Sequence, residues 1–176
     1  MVEPAEIQQY LPLVREINLF GYMTDEELEK FLELAEIVQY ESGERIIYMG
    51  DVSPYFYGIV QGSVDVSLRE LDDQEVFICT IEKGEVFGES AIFMTEKRTA
   101  DVTSSEDCII LRMHRKEMLS FLKDNPQAGN KILMLLIYSL LSKLRDANQE
   151  LAFEKQSVID LDDIDSLVRD FMNEKI

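Results

Sequence analysis

One short stretch carries the residues best suited to bind a charged ligand: Phe87-Gly88-Glu89-Ser90-Ala91, followed after six residues by Arg98-Thr99-Ala100. A glycine lets the backbone approach a ligand closely. The start of a following helix would leave the backbone N–H groups of Ser90 and Ala91 free to bind an anion. Arg98 can bind phosphate oxygens in a bidentate manner, whereas the carboxylate of Glu89 can accept hydrogen bonds from sugar hydroxyls. This combination suits a ligand that has both a phosphate and a ribose.

The same residues allow a structural interpretation, in which Glu89 and Arg98 form an ion pair on a fold that binds no ligand. His114 is the only histidine in the chain, and no second metal ligand or nucleophile accompanies it, which indicates a surface or capping residue. The acidic run 160–163 lacks the spacing of a calcium loop. Because the sequence has no catalytic triad, Walker loop or paired catalytic acids, we expect no enzyme activity, no metal site and no cofactor.

Composition and charge exclude several classes of partner. The chain has 176 residues, 46% of them hydrophobic and 30% charged, as in a folded globular domain. Its 17 basic and 35 acidic residues give a formal charge of -18, so we expect neither nucleic acid nor a membrane as a partner. The N-terminus lacks a signal-peptide pattern, and the longest apolar run is too short to span a bilayer, which predicts a cytoplasmic protein. Cys79 and Cys108 lie in apolar runs and are predicted to be buried.

The elements that must position these residues change in type along the chain. Thr24 and Glu27 are typical of a capping box at the start of a helix. Six of the eight glycines fall between residues 43 and 88, among short β-branched and aromatic runs at 45–48, 55–60, 63–69, 75–81 and 101–113. We therefore predict a mainly β fold with flanking helices: an antiparallel jelly-roll β-barrel with N-terminal helices, a short helix near 89–94 and a long C-terminal helix.

The long C-terminal helix is predicted over about 127–154, because Asn125-Pro126 ends the helix before it. Its apolar residues alternate in steps of four and three, which forms a heptad seam: Leu133, Ile137, Leu140, Leu144, Ala147 and Leu151. The seam either joins two copies of the chain or packs on the chain's own barrel. The predicted divisions are a helical segment at 1–24, the jelly roll at 25–125, the long helix at 126–155 and an acidic tail at 156–176.

The acidic tail carries an apolar stripe between residues 161 and 172, which predicts a short amphipathic helix. A helix this short needs a groove in which to bury its stripe. The groove lies either on the chain's own dimer or on an effector protein. We expect the tail to dock on the body of the protein and nucleotide to change its exposure.

Several motifs resemble, in order and spacing, the cyclic nucleotide-binding domain family: Gly43-Glu44, Gly50-Asp51, the run 56–64, and 87–89 through 98–100. The resemblance implies an eight-stranded jelly roll with a phosphate-binding cassette and, as ligand, cAMP or cGMP. It implies backbone contacts from Gly88, Ser90 and Ala91 to the cyclic phosphate, and a pair between that phosphate and Arg98. It further implies that Glu89 holds the ribose 2′-hydroxyl, that Thr99 bonds the phosphate or the base edge, and that Ala100 leaves room for the ligand. Phe87 belongs to the same motif.

Beyond residue 125 the chain resembles the dimerisation helix of catabolite-activator-type regulators, which implies a homodimer through the helix 127–154. Ser90 stands where that family often has an apolar residue, and 94–97 lacks its usual glycine or proline. Acidic residues, not a DNA-binding domain, follow the helix. We therefore expect a receptor or regulatory subunit for cAMP or cGMP that transmits ligand binding through its C-terminal helix. The alternative is a ligand-free jelly-roll dimer that acts as a scaffold for a protein partner.

Overall fold

The computed structural model describes the backbone of residues 4–69 and 74–173, and side chains of residues 9–69, 74–145, 147–149, 151 and 152. Helices α1 and α2 precede eight strands, and a single helical turn, α3, interrupts the strands. Two helices, α4 and α5, follow. The helices are α1 Pro4–Val14, α2 Asp25–Leu32, α3 Ser90–Phe93, α4 Arg115–Asp124 and α5 Pro126–Asn173. The strands are β1 Glu36–Tyr40, β2 Arg45–Ile47, β3 Tyr55–Gln61, β4 Val64–Arg69, β5 Glu75–Ile81, β6 Val86–Phe87, β7 Asp101–Ser104 and β8 Cys108–His114.

The strands form two antiparallel four-stranded sheets, one in the order β1-β8-β3-β6 and the other β2-β7-β4-β5. The predicted jelly roll with flanking helices is confirmed in this two-sheet form. Strand pairing does not join the two sheets within the described residues, so the roll consists of two separate sheets. The predicted short helix near 89–94 is α3.

Two apolar cores lie on opposite sides of the first sheet, because successive side chains of a strand point to opposite faces. Phe56 and Val60 of β3 join the core formed with the helices. Tyr57 and Ile59 join the core formed with strands of the second sheet. The first sheet is therefore covered on both faces, which explains why β3 is almost continuously apolar.

Helix α2 begins with the predicted capping box. The Thr24 backbone N–H donates to Glu27 Oε2 at 2.8 Å, and the Glu27 N–H donates to Thr24 Oγ1 at 3.2 Å. Lys131, near the start of α5, lies 2.7 Å from Glu27 Oε2 as well. The carboxylate thus joins the first turn of α2 to the first part of α5.

The two cysteines differ. Cys108 is buried, as predicted, but Cys79 is exposed, so the prediction for Cys79 is wrong. The reason is its position on β5, which is at the edge of the second sheet and, among the described strands, pairs only with β4. Residues 75–80 of β5 are all exposed although several are apolar. Apolar character therefore marked a strand here, but not its burial.

The long helix starts at Pro126, close to the predicted start, but runs to Asn173 and does not end near residue 154. After Gly129 the sequence contains no glycine or proline to end it. The chain forms two compact units, Met1–Leu136 and Ile137–Ile176, so the helix belongs to both. The predicted docking of the tail concerns side chains outside the described residues.

Candidate functional site

At Gly88 the backbone comes close to Arg98, the arginine that the sequence analysis singled out. Strand β6 delivers the chain to this glycine, whose φ of +70° lies in the left-handed region that other residues rarely adopt. A Cβ atom at this position would lie 2.9 Å from Arg98 Nη1 and 3.2 Å from the Tyr55 carbonyl oxygen. A larger residue would therefore displace the end of the Arg98 side chain, and the positive φ would strain its backbone.

Arg98 is buried, with 8% of its surface exposed. Its Nη1 donates to the Gly88 carbonyl at 3.4 Å, and its Nη2 donates to the carbonyl of Tyr55. The guanidinium carbon lies 5.9 Å from the centre of the Tyr57 ring. The Nε atom is buried and has no hydrogen-bond partner. A buried donor without a partner carries a desolvation cost of about 1 to 3 kcal/mol, which an acceptor on a ligand would remove.

The charge of Arg98 faces mostly neutral groups. Burial lowers the pKa of its guanidinium, whereas Tyr57 and Glu89 favour the charged form and raise that pKa. An arginine remains protonated under all ordinary conditions. The site is thus a buried cation whose hydrogen bonds go to backbone carbonyls, which is a favourable place for an anion with several acceptor oxygens.

The other predicted site residues differ in their burial and in their contacts. Glu89, at the N-cap of α3, is half-buried and close enough to act on the charge of Arg98. Ser90 and Thr99 are exposed, and Ala100 is half-buried. Ala91 is buried, and its N–H donates to the Gly88 carbonyl at 3.1 Å. The prediction of a free N–H at Ala91 is therefore wrong, because a one-turn helix uses this donor to close its own turn.

Phe87 is 3% exposed and belongs to the core between the sheets. Its ring stacks on that of Tyr57, with centres 4.8 Å apart and planes 6° from parallel. Tyr57 in turn lies under Arg98. Phe87 therefore fixes the aromatic ring that the arginine covers.

Sequence reasoning missed the contribution of β3. Tyr55 supplies a carbonyl to Arg98, and Tyr57 supplies a ring. Two tyrosines that are two residues apart share one face of a strand, and this spacing was the available signal. On the same face, the guanidinium of Arg112 lies 4.9 Å from the Tyr55 ring and pairs with Glu36 at 2.7 Å.

The segment 94–97, whose composition departs from the family pattern, is hydrogen-bonded to a residue of α4. Arg115 Nε donates to the carbonyl of Ile92 at 3.0 Å, and Arg115 also bonds the Thr95 hydroxyl. Its guanidinium thus fixes both α3 and the residue that follows Met94. Close by, the Nδ1 atom of His114 accepts from the Lys116 N–H at 3.1 Å, so this histidine caps α4 as predicted.

Comparison with known proteins agrees with this geometry. The sequence profile described as "Cyclic nucleotide-binding domain" matches residues 37–125, which is half of the chain and includes every residue of the site. The chain belongs to the cyclic nucleotide-binding domain family. The resemblance inferred from the motifs is thereby confirmed.

Relatives of this domain occur in kinases and in transcription regulators. Human cGMP-dependent protein kinase 2 is 30% identical over 111 residues, which cover 61% of this chain and 15% of the kinase. The Cyclic AMP receptor protein of Thermus thermophilus is 28% identical over 133 residues, covering 76% of this chain and 60% of that protein. The chain therefore spans less than two thirds of the length of these relatives.

Solved structures show the same fold. The Catabolite Activator Protein of Thermus thermophilus superimposes with a TM-score of 0.67 at 27% identity, over 77% of this chain and 62% of that one. A cyclic nucleotide-binding domain from Methylobacillus flagellatus gives a TM-score of 0.70 at 22% identity, over 81% and 80% of the two chains. The cyclic nucleotide-binding fold is therefore clear.

Two further features are absent from the described part of the chain. No helix there is both long and apolar enough to cross a membrane. No group of three or more potential metal-ligating side chains comes together there either.

Proposed function

We propose that this chain is a regulatory domain that binds cAMP or cGMP, with the cyclic phosphate held by Arg98. The observation that carries the proposal is the buried Nε of Arg98, which has no hydrogen-bond partner and lies close to a glycine at which a Cβ atom would press on the Arg98 guanidinium. A cyclic phosphate offers the charge and the acceptor oxygens that this donor lacks. Relatives support the ligand class: the regulatory domain of Toxoplasma gondii PKA was crystallised with cAMP.

Within this proposal the remaining residues contact different parts of the ligand. Glu89 accepts hydrogen bonds from the ribose 2′-hydroxyl, and Gly88 and Ser90 line the phosphate through their backbone, whereas the Ala91 N–H is already bonded to the Gly88 carbonyl. Thr99, which is exposed, bonds the phosphate or the edge of the base. Ala100 leaves room for the ligand, and Phe87 acts through Tyr57.

We further propose that the chain is a cytoplasmic homodimer without enzyme activity, joined through α5 and coupled to an effector protein. The support is the exposure of apolar side chains along this helix: Ile137 is 52% exposed, Leu140 42% and Leu144 59%. Exposed apolar surface of this kind marks an interface. Nucleotide would then act by favouring one of two arrangements of the helix.

The fold by itself does not specify the ligand, because the regulatory subunit of a cAMP-independent protein kinase A from Trypanosoma brucei shares it with a TM-score of 0.66. A thermal-shift assay separates nucleotide receptor from ligand-free scaffold. At a hundred times its dissociation constant, cAMP or cGMP should stabilise the folded protein by about 2.7 kcal/mol. The matching linear nucleotides, 5′-AMP and 5′-GMP, serve as controls. If neither cyclic nucleotide shifts the transition, the receptor proposal fails.

A further inference from the structure

Asp101, the first residue of β7, has a carboxylate that is completely buried. Its Oδ2 accepts from Arg69 Nη2 at 2.9 Å and from Arg45 Nη1 at 3.2 Å. Its Oδ1 accepts from the backbone N–H of Met49 at 2.7 Å. The carboxylate therefore has two cations on one oxygen and a loop amide on the other, and the loop amide is the shortest of the three contacts.

The loop that Asp101 holds is bonded directly to Arg98. The Gly50 N–H donates to the Arg98 carbonyl at 2.9 Å, and the Arg98 N–H donates to the Asp51 carbonyl at 2.8 Å. Gly50 has a φ of +90°, which turns the chain so that both bonds form. These two bonds fix the backbone of Arg98.

We propose that Asp101 is a positioning residue for the ligand-binding arginine: it holds the 49–51 loop, and the loop holds the backbone from which the Arg98 side chain reaches the phosphate. Asp101 lies three residues after Arg98 in the chain. The 49–51 loop therefore contacts this segment twice, at the Asp101 carboxylate and at the Arg98 backbone. Because the Asp101 carboxylate is buried and hydrogen-bonded through both oxygens, it keeps the loop and the Arg98 backbone in one arrangement. The part of this inference that concerns the ligand rests on the proposed function.

The charge of Asp101 does not compete with the phosphate for Arg98. Arg45 and Arg69 neutralise it, and Arg45 Nη2 also reaches Glu75 at 3.2 Å. Asp101 therefore acts on Arg98 through the loop and not through direct pairing. This arrangement allows the loop contact to be broken without a change in the partners of the guanidinium of Arg98.

The first test needs no ligand. Amide hydrogen exchange measured by NMR reports directly on the two bonds between the loop and Arg98, through the amides of Gly50 and Arg98. In Asp101→Ala both amides should exchange about tenfold faster or more, because a hydrogen bond to a charged group is lost. Amides of β8 in the other sheet serve as the internal reference. In the matched control Arg69→Gln, the Met49 contact remains, and exchange should change by less than about threefold.

The second test measures affinity for cAMP and cGMP by calorimetry, at a temperature at which every variant is fully folded. Asp101→Ala should weaken the binding of the nucleotide that binds the parent by about tenfold or more, whereas Arg69→Gln should weaken it by less than about threefold. A residue that only stabilised the fold would lower the unfolding temperature in both variants and leave both affinities unchanged. If Asp101→Ala does not fold, Asp101→Thr replaces it, since threonine suits a strand but is too short to reach the Met49 amide.

The two tests separate the inference from the function on which it rests. Unchanged exchange at Gly50 and Arg98 in the Asp101 variant would overturn the proposal. Faster exchange with unchanged affinity would also overturn it, because the loop would then be held without effect on the arginine. If the parent binds neither nucleotide, the proposed function fails, and the exchange data alone decide whether Asp101 fixes Arg98.

Discussion

The Arg98 site lacks a polar partner, whereas the exposed part of α5 lacks an apolar one. At Arg98 a polar group is buried and short of an acceptor, with 8% of the residue exposed and Nε unpaired. Along α5 after Leu136 apolar groups are exposed and short of cover, as at Tyr138, which is 73% exposed. A buried unpaired donor favours a small anion, whereas an uncovered apolar face favours another protein surface. The comparison therefore supports the proposals of a ligand at Arg98 and of a protein partner on α5.

The start of α5 shows that apolar sequence alone does not make this distinction. Ala128, Ile132 and Leu136 are at most 1% exposed and belong to the core that lies against the first sheet. The residues immediately after Leu136 have the same composition and are exposed. The same helix thus serves as core in its first part and offers a surface in the next.

The largest effect is expected for Leu140→Glu combined with Leu144→Glu. Both lie on the seam, so a dimer through this face would bury unpaired charges, each at a cost of several kcal/mol. We expect the parent to sediment as a dimer at micromolar concentration and the variant as a folded monomer. The control is Ser142→Glu with Gln149→Glu, which adds the same charge at heptad positions away from the seam. A monomeric parent, or dissociation of the control variant, would contradict the assignment of this face.

Arg98→Ala should have the next largest effect, which we expect on ligand binding. Removal of one partner of a buried charge pair weakens binding by about 2 to 5 kcal/mol. Arg98→Lys should recover only part of this loss, since an ammonium lacks the planar fork of a guanidinium. Lys97→Ala removes the same charge from an exposed neighbour and should bind as the parent does. Calorimetry measures the affinities. Equal binding by Arg98→Ala and the parent would refute the site.

Glu89→Ala should weaken binding less, by about 1 to 2 kcal/mol, because the carboxylate accepts a hydrogen bond from a neutral hydroxyl. The proposed role is testable with 2′-deoxy-cAMP and 2′-deoxy-cGMP, which lack that hydroxyl. The parent should prefer the ribonucleotide, and Glu89→Ala should bind the two forms almost equally. A preference that survives the substitution would assign the 2′-hydroxyl to another residue.

The smallest effect concerns Glu27, which joins α2 to the buried start of α5. Hydrogen bonds from Lys131 and from the Thr24 amide lower the pKa of its carboxyl below 4.5. Glu27→Gln should lower the free energy of unfolding at neutral pH by about 1 kcal/mol, through the weakened cap and ion pair. A carboxyl with a lowered pKa stabilises the fold above its unfolded pKa and loses this effect as pH falls through the folded pKa.

The difference between parent and Glu27→Gln should therefore shrink as the pH falls below about 4.5. Urea unfolding of both proteins across this range measures it, with Glu33→Gln, at the exposed C-cap of the same helix, as the control. A difference that stays constant with pH would show that the ionised carboxylate is not responsible.

The sequence predicted the parts of the fold that depend on local patterns. The capping box at Thr24, the strands within the five predicted runs and the stop before Pro126 follow from spacing and residue type, and all are present. Strands β1 and β6 lie outside those runs, and the run 101–113 is two strands, β7 and β8. The end of α5 and the exposure of Cys79 were predicted incorrectly. The exposure of Cys79 depends on what lies next to its strand, since β5 is at the edge of its sheet. The helix continues because its sequence contains no glycine or proline after Gly129, a signal that the prediction of an end near residue 154 did not use.

The residues of the site could also be predicted only in part from the sequence. Arg98, Glu89 and Gly88 stand out by type and spacing. The Tyr55 carbonyl that bonds Arg98 could not be found in this way, because a backbone contact between distant segments depends on strand register. Asp101 has the pattern of an exposed strand residue, and it is buried only because Arg45 and Arg69 converge on it from two other strands.

The most direct test of the central claim is a crystal structure with the cyclic nucleotide that gives the larger thermal shift. We expect the Arg98 Nε to donate to an oxygen of the cyclic phosphate at about 2.7 to 2.9 Å, the distance of a charge-assisted hydrogen bond. Glu89 should accept from the ribose 2′-hydroxyl in the same structure. A phosphate bound away from Arg98, or crystals that remain free of nucleotide at saturating concentration, would contradict the account.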